Sequence, residues 1–352
     1  MTPAMTSLQR VASVLSGEVP DRVPMFLSTG LHGPAMLGVS MREYFGSAEL
    51  MAQSQLLKRE TYRDDIVTSF AYAAAEVEAF GQETVFYENG PPNAGRPVLS
   101  SPSDIEKLDV PRLEDCEALQ RGLEVTRMLA AQAPDAAILG IVIAPNSLPV
   151  MQLGFERYLD LIYEQPDLHA RLLEVNEEFC AAWANAQLEA GAHAIGFFDP
   201  LSSTTIMPRD LLERTGLASA RRTFCAIDGT VLALLASGAV IPVIRDFVEL
   251  GVAGVGVGPD EDIGLAKAAA KESCAVIGNL NGIEMRTWTP EIAEKHVKNA
   301  IAAAGGGGGY IVCDGHGEIP HEVPHDVIAA ISEAVHRWGH YPLSWTDLPA
   351  EL

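Results

Sequence analysis

Short apolar segments alternate along most of this chain with longer segments in which apolar residues recur every three or four positions. Runs of the first kind are typical of buried strands, and the period near 3.6 is typical of helices that cover a sheet. Residues 136–143, Ala-Ala-Ile-Leu-Gly-Ile-Val-Ile, form the clearest strand segment and stop before Ala144-Pro145-Asn146. Residues 167–191 form the clearest amphipathic helix.

The alternation predicts eight strands, most of them followed directly by a helix. The predicted strands are residues 23–28, 65–69, 136–143, 193–199, 230–236, 254–258, 274–279 and 310–314. The predicted helices are residues 8–16, 51–62, 116–133, 155–163, 167–191, 208–226, 240–250, 263–270, 290–303 and 324–338. Such alternation favours a parallel sheet covered by helices, and eight units favour a closed barrel over an open sheet. We therefore predict a single (β/α)8 TIM barrel, residues 1–352, with an N-terminal helix.

Two glycine-rich segments interrupt this pattern. Residues 81–113 lie between the second and third strands and contain Gly90-Pro-Pro-Asn-Ala-Gly95, so we predict a long insertion over the barrel mouth. Residues 305–309 are five consecutive glycines before the last strand, and we predict a helix-to-strand turn at the opposite end of the barrel. The first strand leads into Ser28-Thr-Gly-Leu-His32, which lacks the glycine spacing of a dinucleotide site.

The charge and composition of the chain limit the kinds of partner that it is expected to bind. The net charge of −23 argues against nucleic acid and against an anionic membrane surface, because both attract basic proteins. The chain has no apolar run long enough for a membrane span, and residues 1–14 lack the apolar core of a signal peptide. Its five cysteines are odd in number and form no CxxC pair. These features predict a cytoplasmic protein, and alanine-rich helical faces leave room for a homodimer.

Catalytic groups in such barrels follow the carboxyl ends of the strands. Asp199 closes the fourth strand and is a candidate base or hydrogen-bond acceptor, although an Asp there can also cap a turn. His316, between Gly315 and Gly317 after the last strand, is a candidate acid, base or metal ligand, with a turn histidine as the alternative. Asp314 and Glu318 end the same strand without an assigned role.

Six further residues are candidates for substrate binding. Asn279 and Asn281 offer amide donors and acceptors that suit a flat heterocycle, and an ordinary Asn/Gly turn is an equal alternative. Asn146 and Ser202 follow the third and fourth strands. Met151 and Phe198 are candidates for an apolar pocket wall, although such residues more often belong to the core.

Several segments, taken in order, resemble the uroporphyrinogen-decarboxylase-like superfamily, and they are closest to its corrinoid-dependent methyltransferase branch. The resemblance covers nearly the whole chain and implies a (β/α)8 barrel. The segments are Ser7–Gly17, Asp21-Arg-Val-Pro24, Glu78-Ala-Phe-Gly81, Asp104-Ile-Glu-Lys-Leu108, Gly191–Pro200, Ile277-Gly-Asn-Leu280 and Tyr310–Gly317.

The departures from that family bear on function. True decarboxylases carry an arginine-rich segment after the first strand, where this chain reads Ser28-Thr-Gly-Leu-His-Gly-Pro34. Without those arginines, the carboxylates of a tetrapyrrole would be buried unpaired, which is costly. The thiol-methylating branch holds zinc with a His-x-Cys pair and a later Cys, whereas Ala233, Leu235 and His316 occupy those positions here. Apolar side chains cannot bind zinc, so the resemblance does not favour this metal.

The resemblance implies an enzyme that works with a separate corrinoid-binding protein. We expect a methyltransferase that moves a methyl group between the cobalamin of that partner and a small N- or O-centred substrate, such as tetrahydrofolate or a methoxy or methylamine compound. The alternative is a decarboxylase, a carbon–carbon lyase, which would require a cationic side chain such as Arg209 or Arg245 in the pocket. A third hypothesis is a binding protein without catalysis, which predicts a self-filled barrel mouth.

Overall fold

The computed structural model describes residues 4–88, 90–235, 238–315 and 317–347. It confirms the predicted barrel, and the loops at the carboxyl ends of its strands form the mouth. Its eight strands are β1 Met25–Phe26, β2 Ile66–Thr68, β3 Ala137–Ile143, β4 Ala194–Phe198, β5 Val231–Leu234, β6 Gly254–Gly256, β7 Ala275–Leu280 and β8 Tyr310–Asp314. They pair in parallel, in the order β1-β8-β7-β6-β5-β4-β3-β2.

Helices surround this sheet, as strict β/α alternation requires. The α-helices of the described residues are Ser7–Leu15, Gly33–Leu37, Met41–Phe45, Ala48–Tyr62, Ala74–Glu78, Pro102–Glu106, Glu117–Gln132, Pro149–Leu153, Phe155–Glu164, Pro166–Ala190, Arg209–Leu212, Ala218–Cys225, Ile244–Glu249, Ile263–Ala270, Pro290–Ala304 and His325–Trp338. Short 3-10 turns occur at Gly30–His32, Leu113–Asp115, Ile241–Val243, Glu284–Thr287 and Ser344–Asp347. A π-helical segment, Glu213–Leu217, joins Arg209–Leu212 to Ala218–Cys225.

The barrel closes between β1 and β2, which form the two ends of the sheet. The Asp65 N–H donates to the Met25 carbonyl at 3.0 Å, at the amino ends of both strands. No strand ladder joins β1 to β2 beyond this point in the described residues. The seam between these strands is therefore held at the base of the barrel and left without a ladder towards the mouth.

Two arginines hold the base of that seam. The Asp65 carboxylate accepts from Arg10 Nη1 at 2.7 Å, from Arg22 Nη1 at 2.8 Å and from the Met25 N–H at 2.9 Å. Asp21 in turn binds Arg10 Nε at 2.6 Å. The Asp21-Arg22 dipeptide that carries part of the family resemblance therefore has a structural role here.

The core has two layers, which explains the mainly apolar strands. One layer fills the barrel interior with inward-facing side chains: Phe26, Ile66, Ala137, Leu139, Ala194, Leu232, Ala275, Ile277, Ile311 and Cys313. Val11 and Val14 of the N-terminal helix belong to this layer, so the helix covers the base of the barrel. The other layer lies between the sheet and the surrounding helices.

The predicted insertion is present between β2 and β3. It contains the helix Ala74–Glu78, a hairpin of Thr84–Val85 with Asn93–Ala94, and the helix Pro102–Glu106. The buried Glu76 fixes it to the barrel, because its carboxylate accepts the Ile143 N–H at 2.9 Å, at the end of β3. Burial raises the pKa of Glu76 well above its usual value. The insertion is therefore held at the edge of the mouth.

The glycine run forms the predicted turn, between the helix Pro290–Ala304 and β8. Gly307, Gly308 and Gly309 have φ values of 74°, 82° and 64°, a region that favours glycine. Lys267 Nζ donates to the carbonyl oxygens of Gly308 and Gly309 at 2.7 and 2.9 Å. The side chain of Lys267 thus binds the backbone carbonyl groups of this glycine turn.

The ends of some elements differ from the sequence prediction. Strand β1 is shorter than residues 23–28, because the Ser28 N–H turns to donate to Asp314 Oδ1 at 2.8 Å. Strand β5 ends at Leu234 instead of residue 236. All five cysteines are free thiols, and four of them are buried. None of the described helices combines the length and the apolar character needed to cross a membrane.

Candidate active site

A cavity of about 320 Å³ opens at the carboxyl ends of the strands, where barrels of this kind hold their ligands. Its floor is the upper part of the apolar barrel interior, and Pro91, Pro92 and Asn93 of the insertion form part of its wall. Its volume lies at the small end of the range for ligand sites. The apolar lining residues are Phe26, Leu27, Ile66, Phe70, Tyr72, Leu139, Ile141, Phe198, Leu232, Leu234, Val257 and Ile277.

One lysine faces this cavity. Lys58 is on the helix Ala48–Tyr62, which lies between β1 and β2 in the chain, and its side chain is only 4% exposed. In the described part of the chain its ammonium group has no hydrogen bond and no ion pair within 4.0 Å. Burial lowers its pKa to about 8, and the nearby carboxylates of Asp64, Glu318 and Asp314 oppose that shift.

Carboxylates outnumber this lysine. Glu318 and Asp314 line the cavity, and the buried Asp64 lies behind it near Lys58. Burial raises the pKa of Glu318 and that of Asp64 to about 8, while the positive charge of Lys58 acts in the opposite direction on both. Asp314 accepts the Ser28 N–H, which connects the end of β8 to the end of β1. The mouth therefore has a group of ionisable side chains of mixed sign, here called the mouth cluster: the buried Lys58, Asp64 and Asp314 and the half-buried Glu318.

Phe198, at the end of β4, lines the cavity wall, and its role in substrate binding stays a prediction. Its neighbour Asp199 is fully buried and lies outside the cavity lining. Ser147 Oγ donates to Asp199 Oδ1 at 2.7 Å, and Ser202 Oγ donates to Asp199 Oδ2. Burial raises the pKa of Asp199, and these hydroxyl donors lower it. Asp199 therefore fixes the loops behind Phe198 in this structure.

Asn146 and Met151 also lie behind the wall. Asn146 Oδ1 accepts the Tyr158 hydroxyl at 3.0 Å, and both side chains are buried. The Met151 carbonyl accepts from Gln82 Nε2 at 2.9 Å, which joins the insertion to the helix Pro149–Leu153. Neither of these two predicted substrate-binding residues lines the cavity.

Asn279 and Asn281 line a separate surface depression beside the mouth, together with Glu284 and His296. Asn279 Nδ2 donates to the carbonyl oxygens of Gly258 and Glu261 at 2.9 and 2.7 Å. Asn281 Oδ1 accepts the N–H groups of residues 283 and 284 at 3.1 and 3.0 Å. Both amides thus stabilise backbone turns, and their predicted role in substrate binding stays a prediction.

His316, the predicted acid or base, lies outside the described residues. Its neighbours Gly315 and Gly317 both line the cavity. Gly317 has a φ of 97°, and a Cβ added there would come within 3.7 Å of the Phe198 ring. The loop after β8 therefore passes close to the aromatic wall.

The direction in which the side chains of β5 point decides whether this strand could supply zinc ligands. Leu232 and Leu234 face the cavity, whereas Ala233 belongs to the layer between sheet and helices. The inward positions of this strand are therefore Leu232 and Leu234, which are one residue away from the positions matched by resemblance to the zinc ligands and are equally apolar. Among the described residues, no three His, Cys, Asp or Glu side chains come together in a way that could hold a metal ion. The residues described at β5 do not fit a zinc site.

Comparison with known proteins shows to which family the chain belongs. The model of the uroporphyrinogen decarboxylase (URO-D) family matches residues 6–338. The chain belongs to the uroporphyrinogen decarboxylase family. This confirms the resemblance found in the sequence.

Relatives within this family have two kinds of activity in their names. A uroporphyrinogen decarboxylase of Methylococcus capsulatus is 27% identical over 303 residues, which are 83% of this chain and 85% of the relative. A methylcobamide:CoM methyltransferase, MtaA, of Methanosarcina barkeri is 26% identical over 286 residues, which are 77% of this chain and 81% of the relative. The decarboxylase family therefore includes relatives named as methyltransferases.

A solved structure confirms the fold. A methyltransferase from Methanosarcina mazei superposes with a TM-score of 0.83, at 22% identity, over 95% of this chain and 99% of the other. A B12-independent methionine synthase from Shewanella superposes with a TM-score of 0.52, at 14% identity. At these identities the likeness concerns the barrel fold.

Lys58 and Asp64 are the two members of the mouth cluster that the sequence did not indicate. A lysine in an amphipathic helix outside a barrel normally lies in solvent, so its position in the chain gave no signal. Glu318 and Asp314 were among the strand-end residues, but their burial beside Lys58 depends on how the seam between β1 and β2 is built. Arg209 binds Asp246 at the surface and Arg245 is exposed, so neither lines the cavity.

Proposed function

We propose that this protein is a methyltransferase that moves a methyl group between a small substrate in the mouth cavity and the cobalamin of a separate corrinoid protein. The observation that carries the proposal is the cavity itself, which is largely apolar, about 320 Å³ in volume and located at the carboxyl ends of the strands. An apolar wall excludes water from a reacting methyl group, and strand ends are where barrel enzymes hold reacting groups.

Family membership supports this class of reaction, because one relative is named as a methylcobamide:CoM methyltransferase. The size of the cavity supports a division of labour between two proteins. A corrin ring is far larger than a cavity of about 320 Å³. The substrate therefore occupies the cavity, and the corrinoid approaches the mouth on its own protein.

The charges of the cavity argue against a tetrapyrrole substrate. Lys58 is the single Lys or Arg among the described lining residues, and Asp314 and Glu318 lie beside it. A polyanionic tetrapyrrole would bring many carboxylates next to these acids, and buried carboxylates without partners are costly. A small substrate with little negative charge avoids this cost.

We assign roles to the predicted residues within this proposal. Phe198 contacts the substrate from the cavity wall, and Asp199, Asn146, Ser202 and Met151 position the loops behind it. His316 supplies or removes a proton where a substrate requires one. Asn279 and Asn281 stay predicted contacts for a larger substrate, such as a pterin, that would extend beyond the mouth.

The first experiment follows demethylation of methylcobalamin by its absorbance spectrum, with tetrahydrofolate or a small amine as acceptor. The proposal expects turnover that falls in Glu318→Gln and in His316→Ala. Arg112→Ala, which removes only an exposed ion pair with Glu114, is the control and should retain turnover. A folded protein without any spectral change in either direction of transfer would overturn the proposal.

A second candidate is a decarboxylase for a small acid, and Lys58 is the observation that favours it. A buried ammonium group in a cavity can pair with a substrate carboxylate and hold it. This candidate expects release of carbon dioxide without any corrinoid, and its loss on Lys58→Met. The three carboxyl groups around Lys58 weaken this candidate, because they already compete for the lysine.

A further inference from the structure

Charged groups of both signs face the mouth cavity without direct partners in the described residues. Lys58 and Glu318 have neither a hydrogen bond nor an ion pair within 4.0 Å in that part of the chain, although each lies in the electrostatic field of the other. Asp314 and Asp64 add two more carboxyl groups. An anionic ligand would enter a site with three carboxyl groups and one ammonium group, whereas a cationic ligand would favour the ionised form of the carboxyl groups that burial disfavours.

Aromatic side chains provide a second, independent feature. Phe26, Phe70, Tyr72 and Phe198 all line the cavity, and they come from the ends of β1, β2 and β4. In the sheet order β3 separates β4 from β2, and β4 is not adjacent to β1 either, so these rings reach the cavity from different strands. Aromatic rings attract ammonium groups that carry methyl substituents, which are large, weakly hydrated cations.

The Phe198 ring and Glu318 both line this cavity. The ring is within 3.7–3.8 Å of the position that a Cβ on Gly317 would occupy, and Glu318 is the next residue in the chain. Glu318 Oε1 itself lies 3.1 Å from the corresponding position on Gly30, so the carboxylate is packed against the loop after β1. The cavity therefore combines an aromatic surface with a carboxylate, and the loop after β8 contacts both the ring and the loop after β1.

We propose that this cavity binds the methylated ammonium group of the substrate, with the Phe198 ring as aromatic wall and Glu318 as the carboxylate partner. This inference rests on the proposed function for the transfer itself, but binding can be measured without it. A quaternary nitrogen that gives up a methyl group keeps the electron pair of the broken C–N bond and becomes a neutral amine. The methyl group goes to the nucleophilic corrinoid of the partner protein, so the nitrogen needs neither a proton nor a zinc ion.

Lys58 has a defined place in this arrangement. It partly compensates the carboxylates of the mouth cluster and competes with a cationic ligand for them. Removal of its charge therefore strengthens binding of a methylated ammonium group. A site for a carboxylate substrate requires the opposite, because Lys58 would then hold the ligand.

Isothermal titration calorimetry with two probes of the same shape tests the proposal. Choline carries a trimethylammonium group, and 3,3-dimethylbutan-1-ol replaces the charged nitrogen by carbon. We expect choline to bind about tenfold or more tightly than the neutral alcohol. Glu318→Gln lowers the affinity for choline about tenfold and leaves that for the alcohol unchanged, and Lys58→Met raises the affinity for choline. Circular dichroism of each variant checks that it is folded.

Three outcomes would overturn the inference: no binding of choline, equal binding of both probes, or weaker choline binding in Lys58→Met. Pivalate, an anion of similar shape, serves as the opposite probe. Preference for pivalate, lost on Lys58→Met, would assign the cavity to a carboxylate ligand. The proposed methyl transfer can fail while choline still binds, so the two results are separable.

Discussion

Charged side chains are paired differently at the two ends of the seam between β1 and β2. At the base, the Asp65 carboxylate is paired with Arg10 and Arg22 and accepts the Met25 N–H. At the mouth, Lys58 and Glu318 lie near each other without a direct ion pair in the described residues. Asp64, the residue before Asp65, is also buried, but the described residues give it no ion pair within 4.0 Å.

This difference agrees with the division of labour in such barrels, where the base provides stability and the mouth provides chemistry. When a buried charge has all its partners, removal of one partner is strongly destabilising. Such a charge has no group left to pair with a ligand. Charges without direct partners lower stability and remain available to a substrate. Lys58 and Glu318 together therefore mark the functional end more clearly than either residue alone.

The largest expected effect is on stability at the base. Asp65→Ala leaves two buried arginines without their shared carboxylate, and we expect the free energy of unfolding to fall by about 3–5 kcal/mol. Asp64→Asn, one residue earlier, is the matched control and should cost far less, because burial already raises the pKa of Asp64 to about 8. Urea denaturation of both variants at pH 7 measures the difference. Equal losses would contradict the comparison.

The next effect is on activity at the mouth. Glu318→Gln should reduce methyl transfer about tenfold or more while the melting temperature stays the same or rises, because the variant removes a carboxyl group that burial disfavours in its charged form. Transfer rates and thermal melts of the same samples test this. Unchanged transfer, or equal loss of transfer and stability, would show that Glu318 only supports the fold.

The pH dependence of stability is a third expected difference. Burial raises the folded-state pKa of Glu318 and Asp64 from the ordinary carboxyl range to about 8, so between pH 6.5 and 8 the folded protein holds protons that the unfolded chain lacks. Stability therefore falls as the pH rises through this window. Below it, the buried His32 and the half-buried His336 act in the opposite direction, because desolvation lowers the pKa of each to about 4.

Urea denaturation at pH 6.5 and 8 measures this slope in the unmodified protein and in Glu318→Gln. The groups that face Glu318 are Lys58 on the helix Ala48–Tyr62, Asp314 at the end of β8 and Tyr44 on the helix Met41–Phe45. We expect a smaller slope in the variant. An identical slope in both proteins would mean that Glu318 is ionised throughout this range.

The smallest effect concerns an ion pair at the surface. Arg209 binds Asp246 and Glu213, and its side chain is 44% exposed. Arg209→Ala should cost about 1 kcal/mol or less, as is usual for exposed pairs, and should leave methyl transfer unchanged. Loss of activity in this variant would indicate that Arg209 acts at the active site, and it would favour the decarboxylase hypothesis.

Much of the fold could be predicted from the sequence, because the strands are short apolar runs and the helices have a regular period. The inward positions of β5 could not, since periodicity does not show which alternate residues face the barrel interior. Leu232 and Leu234 proved to be the inward pair. Within the candidate site, Phe198 was predicted and Lys58 was missed, because the seam that brings a helical lysine to the cavity is a property of barrel closure.

The position of a polar residue at a strand end was a weaker guide than expected. Asn279 and Asn281 satisfy backbone groups of neighbouring turns, and Asp199 is saturated by serine hydroxyls. Long connections leave many backbone groups to be satisfied, and Asn, Asp and Ser are the residues that do so. Sequence alone does not separate this use from contact with a substrate.

The most direct test of the account is a single-turnover reaction with cob(I)alamin and a series of small methylated amines and ethers. Methylcobalamin formation is followed by absorbance, and carbon dioxide is measured in the same vessel with small carboxylic acids as competing substrates. The account predicts methylcobalamin formation from a methylated ammonium compound without release of carbon dioxide. Release of carbon dioxide in the absence of corrinoid, with no methylcobalamin formed, would contradict it.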